Sequence, residues 1–189
     1  FTSSSDHRFG EMVKPQSSVK VSSKVVARNL EHAAEALKTG PVRRMDLRYR
    51  KIGDRGAASL AEILQENCTL EKLELDFNGI SSGGAACLAE VLTMNSTLTH
   101  LYLCNNSIDD EGAIHLAAAL ETGCGLTQLY LAGNRITNRG GQAILAALKK
   151  SGAVVDIDLS FQGVPDDCIR DIRAALLANA QAKAGNKAE

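Results

Sequence analysis

The chain contains no Trp, and three Tyr and four Phe are its whole aromatic complement. A core built on large rings is thereby excluded, so the interior of this 189-residue chain must be filled by Leu, Ile, Val and Ala. No continuous apolar stretch reaches the length that spans a bilayer, and no signal-peptide pattern opens the chain. It starts at Phe1 in a Ser-rich polar stretch, which reads as a fragment or a processed product. An excess of charge of one sign is missing too. A net charge of −1 argues against a chain whose task is coating nucleic acid or an anionic membrane. Cys68, Cys87, Cys104, Cys124 and Cys168 make an odd set without paired spacing.

What is present is a strict period. Leu70, Leu98, Leu126 and Val154 recur every 28 residues, as do Leu73, Leu101, Leu129 and Ile157. The same interval separates Leu75, Leu103, Leu131 and Leu159, and again Ile80, Ile108, Ile136 and Val164. A fixed period of this size means stacked supersecondary units, none of which buries its apolar face alone. Within a unit, Leu73 and Leu75 alternate with Lys72, Glu74 and Asp76, the period of a strand. Leu88, Val91 and Leu92 follow at helical spacing. Successive strands therefore lie parallel, with helices covering one face of the sheet and the other face open. Asn78, Asn106 and Asn134 are read as structural asparagines that turn their amides inward to satisfy backbone groups leaving each strand. Gly56, Gly84, Gly112 and Gly140 let each incoming helix approach its neighbour.

The same period speaks to the thiols. Cys68 and Cys124 are equivalent positions two units apart, so at roughly 5 Å per parallel strand they lie on the order of 10 Å apart, too far for a disulfide. Free thiols suit a reducing, intracellular and most simply cytoplasmic setting.

Ahead of the repeats, residues 1–22 show no helical period and read as a flexible lead-in. Val26, Leu30, Ala33 and Leu37 form one apolar helical stripe, stopped by Gly40-Pro41. Residues 23–41 are accordingly expected to be a helix capping the solenoid. The repeats fill residues 42–182, and residues 183–189 are expected to form a flexible tail.

The pattern L-x-x-L-x-L-x-x-N-x-I appears in full three times: Leu70-Leu73-Leu75-Asn78-Ile80, Leu98-Leu101-Leu103-Asn106-Ile108 and Leu126-Leu129-Leu131-Asn134-Ile136. These residues resemble leucine-rich repeats, and the 28-residue unit with a full helix resembles the ribonuclease-inhibitor-like subtype, as in NOD-like receptors, ribonuclease inhibitor and tropomodulin. With two degenerate end units, the resemblance covers about residues 42–180. It implies an α/β right-handed solenoid of about five repeats, with the sheet concave and the helices convex. Arg50 and Gln162 stand where Asn is expected, which marks the two ends of the solenoid.

On that architecture the outward strand positions are the candidate partner-binding residues. Arg44 and Arg48 come from the first unit, Lys72, Glu74 and Asp76 from the second. His100 and Tyr102 come from the third, Gln128 and Tyr130 from the fourth, and Asp156 and Asp158 from the fifth. Tyr102 and Tyr130, one repeat apart, should stack on the open sheet, and exposed Tyr pairs are frequent interface anchors. Tyr49, Phe77 and Phe161, in a second row, are expected to support the turns.

No catalytic residue, cofactor or metal site is read from the chain. His100 and Cys104 are separated by four strand residues, roughly 13 Å, beyond the reach of a nucleophile and its base. Cys87 and His115 fall in register, but two ligands do not make a metal site. Gly83-Gly84 and Gly140-Gly141 follow the repeat, so structure explains them better than phosphate binding does. The sequons at Asn67, Asn95 and Asn105 are discounted because free thiols point to a reducing compartment, and the first two fall in turns that need short polar residues anyway.

The sequence thus reads as a non-enzymatic, intracellular module that binds another protein through its concave face. A cytoskeletal capping or scaffolding domain resembling that of tropomodulin is the alternative, followed by a regulator of a GTPase or a nuclease. Neither nucleic acid nor membrane is expected as a partner. The basic first unit and acidic last unit allow a weak head-to-tail self-association.

Overall fold

A computed structural model of the chain describes residues 24–185. The expected lead-in of residues 1–22 lies outside them.

Strands and helices alternate along the described residues. In order they are β1 (Lys24–Val26), α1 (Leu30–Thr39), β2 (Arg44–Asp46), α2 (Gly53–Glu66), β3 (Lys72–Glu74) and α3 (Ser82–Leu92). Then follow β4 (His100–Tyr102), α4 (Asp110–Glu121), β5 (Gln128–Tyr130), α5 (Asn138–Ser151), β6 (Asp156–Asp158) and α6 (Asp166–Gly185). The six strands form one parallel sheet in sequence order. From β2 onward the register advances by the repeat, so that Leu73 pairs with Leu101 and Leu101 with Leu129.

The apolar positions of the period are the core. Leu73, Leu101 and Leu129 are buried, as are Leu75, Leu103 and Leu131, and they meet Leu88, Leu92, Leu116 and Leu120 from the helices. Each such side chain contributes about 1.5–3 kcal/mol on burial. Helices α2 to α5 can approach their neighbours this closely because each carries Gly in its first turn. A Cβ at Gly84 would lie 2.8 Å from Ile80 Cγ2 and 3.1 Å from Ala57 Cβ of the preceding helix.

The inward amides form a continuous ladder. Asn106 Nδ2 donates to the carbonyls of Leu75 (3.0 Å) and Leu103 (2.9 Å), while its Oδ1 accepts from the N–H groups of Asn78 (3.1 Å) and Ile80 (3.0 Å). Asn78 and Asn134 make corresponding bonds one unit before and after. Backbone groups in a buried turn, which no strand partner could reach, are thereby paired. A second amide row serves the opposite turns, after the helices. Asn95 Nδ2 donates to Leu64 O (2.7 Å) and Asn67 O (2.9 Å), and its Oδ1 accepts from Leu98 N (2.9 Å). Asn179 of α6 fills the same place in the last unit, donating to Leu148 O at 3.2 Å.

Two boundaries differ from expectation. Residues 23–41 are not one helix: Lys24–Val26 is a strand, and the helix starts only at Leu30. Val26, the first residue of the expected apolar stripe, lies exposed on the edge strand. The backbone explains the break, since Ala27 N–H donates to Asp46 O (3.0 Å) and Asn29 caps the helix by accepting from His32 N–H (2.9 Å). Among the described residues the sheet therefore extends one strand further toward the N-terminus than the repeats suggest. At the other end, α6 runs through Gly185, so Lys183 to Gly185 are helical where a tail was expected. Lys183 holds this last turn by donating from Nζ to the carbonyl of Ala153.

Candidate functional site

The open face of the sheet carries three rows of side chains, one for each outward position along the strands. The first row runs Lys24, Arg44, Lys72, His100, Gln128 and Asp156, each paired in register with the next. It passes from cations through neutral groups to a carboxylate. The second row runs Asp46, Glu74, Tyr102, Tyr130 and Asp158.

Between the two rows the charges interlock. Lys24 Nζ lies 3.9 Å from Asp46, and Arg48 binds Asp46 through Nε (3.0 Å) and a terminal nitrogen (2.7 Å). Arg48 Nε also lies 3.2 Å from Glu74, and Lys72 Nζ lies 3.1 Å from the other Glu74 oxygen. Lys72 in turn sits over the Tyr102 ring, 4.2 Å from its centroid. Tyr102 stacks on Tyr130 with centroids 4.6 Å apart and planes 10° from parallel. The Tyr130 hydroxyl finally donates to Asp156. One chain of ion pairs, cation–π contact, ring stack and hydrogen bond thus crosses all six strands.

The network shifts the titration of Asp46 and Tyr130 in opposite directions. The hydrogen bonds from Arg48 hold the Asp46 carboxyl below its ordinary range despite burial. Burial, reinforced by the bond to Asp156, pushes the Tyr130 phenol well up. Asp46 and Glu74 are each only 7% exposed, because the cations around them close over their carboxylates. Asp76, in a third row, accepts from Cys104 N–H at 2.7 Å, and burial raises its carboxyl above the usual range. Asp158 turns back on its own loop, accepting from Ser160 N–H (2.9 Å) and Oγ (2.6 Å).

Burial, with Asp76 as the next cause, pushes the Cys104 thiol up to about 11, away from a reactive thiolate. Among the described residues no group of three or more His, Cys, Asp or Glu is placed to hold a metal ion. All five cysteines are free, with Cys124 and Cys168 buried.

The family model described as "Leucine Rich repeat" matches residues 66–89, 95–117 and 125–145. The chain carries leucine-rich repeats. Its unit, a three-residue strand and a full helix every 28 residues, is the ribonuclease-inhibitor-like form. Among solved structures it is similar to "Leiomodin-1 Actin-Binding Site 2 (ABS2)". That match has 19% identity and a TM-score of 0.75, covering 84% of this chain and 91% of the other. It is also similar to the tropomodulin C-terminal domain of Caenorhabditis elegans. Here identity is 17% and the TM-score 0.72, over 84% of this chain and 97% of that one. Likeness at this identity is a likeness of fold. A search of curated proteins finds no match to the chain.

Two features of this leucine-rich-repeat surface were not legible beforehand. Lys24 joins the charge network because β1 exists, and three residues of strand leave too short a pattern to read. The second is the backbone of the turn row. Tyr49, Phe77, Asn105 and Phe161 all lie at φ between 54° and 59°, and Gly133 at 69°. Asn and Gly take this left-handed geometry at little cost, whereas aromatic residues do not. Tyr49 and Phe77 stack with centroids 4.4 Å apart. Phe161, expected to support its turn, is instead 90% exposed.

Proposed function

We propose that this chain is a protein-binding module that meets its partner through the concave sheet, anchored by Tyr102 and Tyr130. The observation that carries this reading is the ring pair itself, half-buried at the centre of an uncovered sheet and fixed by Lys72 on one side and Asp156 on the other. Aromatic groups already locked in one geometry lose little entropy on binding, which is what interface hot spots require. Leucine-rich repeats are interaction scaffolds, and the charged groups around the rings would supply register. The raised Cys104 thiol fits a contact surface better than a nucleophile. Five free thiols favour a reducing, intracellular compartment, and no helix among the described residues is long and apolar enough to cross a membrane.

The test is a comparison of captured partners. Tyr102→Ala with Tyr130→Ala should lose partners that a convex-face pair, Ala118→Arg with Ala146→Arg, retains. The opposite outcome would overturn the assignment to the concave face.

A second reading rests on the fold shared with an actin-binding site of leiomodin and with a tropomodulin domain. It assigns actin as the partner. Co-sedimentation with filamentous actin tests it directly, and a chain left wholly in the supernatant would exclude it.

A further inference from the structure

At one end of the strands the concave face deepens into a cleft of about 320 Å³, lined by Arg44, Glu71, Lys72, His100, Tyr102 and Gln128. Its composition is unusual for neighbouring strands. Arg44, Lys72 and His100 are placed directly beside one another by the register, an arrangement that like charges disfavour. His100 yields to this: burial first, then the charges of Lys72 and Arg44, hold its imidazole below the ordinary range. Arg44 supplies the positive charge on the other side of Lys72.

The hydrogen-bond inventory is lopsided in the same direction. Among the described residues Arg44 has no carboxylate within ion-pair distance, in contrast to Arg43, which binds Glu71 at 2.6 Å. The Tyr102 hydroxyl makes no hydrogen bond within the described chain, whereas that of Tyr130 is taken by Asp156. Gln128 accepts from Tyr130 through Oε1 (3.4 Å), leaving its amide N–H groups unused. Three donors without an intramolecular acceptor therefore open on one cleft beside the Lys72 ammonium. A complementary ligand must be rich in acceptors and negatively charged.

The counter-charges decide what kind of anion. Lys72 is already balanced by Glu74 at 3.1 Å, and Glu71 stands at the rim. Close to one positive charge, that of Arg44, is left over. This suits a carboxylate, which a guanidinium receives through two parallel hydrogen bonds, and it disfavours a dianionic phosphate, which Glu71 and Glu74 would repel.

We infer that this cleft receives an Asp or Glu side chain of an acidic segment in the protein partner, held by Arg44, Gln128 and Tyr102. The inference rests on the concave-face reading and names the chemistry of one part of that surface.

The experiment uses the full chain and three fluorescein-labelled twelve-residue peptides, of alternating Glu and Gly, Gln and Gly, and phosphoserine and Gly. Fluorescence anisotropy should show binding of the Glu peptide, weakened by added salt, and no binding of the Gln peptide. Arg44→Gln should weaken the Glu peptide about tenfold or more, as loss of a charge-assisted hydrogen bond does, with Gln128→Ala having a smaller effect. Both residues are outside the core, and an unchanged melting temperature verifies that each variant is folded. No binding of the Glu peptide, equal binding by Arg44→Gln, or tighter binding of the phosphoserine peptide would each overturn the inference. Failure here together with partner loss in the Tyr102/Tyr130 double variant would leave the concave-face reading standing and remove only the acidic segment.

Discussion

Arg50 Nε donates to the carbonyl of Ala27 at 2.8 Å, and that bond ties the end of the edge strand β1 to the first repeat. One unit later, Asn78 Nδ2 donates to the carbonyl of Leu47 at 3.0 Å. Ala27 and Leu47 are equivalent, since both follow directly from strands paired in register. Arg50 thus performs with a long side chain the bond that asparagine performs in the interior. The unit before it is also short, with a ten-residue helix and a step of 20 from Lys24 to its partner Arg44 in place of the repeat of 28. Arg50→Ala is expected to cost about 1 kcal/mol, the net value of such a bond. The loss should be local: hydrogen exchange would quicken across β1 and α1 while the central strands keep their protection.

Gln162 is the substitution at the other end, and it fits less well. Its Oε1 accepts from Ile136 N–H at 3.3 Å, but its Nε2 is buried without a hydrogen-bond partner among the described residues. The corresponding nitrogen of Asn134 reaches the carbonyls of Leu103 (2.9 Å) and Leu131 (2.7 Å). Gln162→Asn, one methylene shorter, should restore both bonds and raise stability by roughly 1 kcal/mol. Urea unfolding measures this, and an unchanged or lower midpoint would contradict it.

Phe161 carries a backbone cost with no visible return within the chain. At φ 59° and 90% exposed, it takes a left-handed conformation that costs an L-residue about 1–2 kcal/mol. Asn105 holds the same place two units earlier at φ 54°. Phe161→Asn is therefore expected to stabilise the last unit by about 1 kcal/mol, seen as a higher melting temperature. Phe77→Asn should gain less, because it also loses the stack on Tyr49.

Asp46 and Asp76 impose opposite pH dependences. The Asp46 carboxyl is lowered by Arg48, so its contribution is present above its unfolded value of 3.8 and is lost as pH falls through the folded value. The Asp76 carboxyl is raised by burial, so the folded chain takes up its proton first and this group makes folding less favourable as pH rises through that range. Asp76→Asn keeps an oxygen for the Cys104 N–H and removes the buried charge. The variant should be more stable than the parent at pH 7, with the difference vanishing at pH 3, as followed by chemical denaturation across the range.

The 28-residue period and the alternation around Leu73, Leu101 and Leu129 were enough to determine the parallel sheet, its register and the side on which Tyr102 and Tyr130 lie. They sufficed because each of these features repeats, and a repeated side chain meets its own equivalent in the next unit. The inward amides of Asn78, Asn106 and Asn134 were legible for the same reason. What only the tertiary structure decided lies where the repeat stops or where partners come from different rows. Strand β1 departs from the period, so the Asn29 cap was its one local signal. The enclosure of Asp46 and Glu74 depends on how Lys24, Arg48 and Lys72 bend across neighbouring strands, and no spacing along the chain records that. The donor-rich cleft at Arg44 likewise exists because Glu71 and Glu74 are claimed by Arg43 and Lys72, a competition settled only once all of them share one surface.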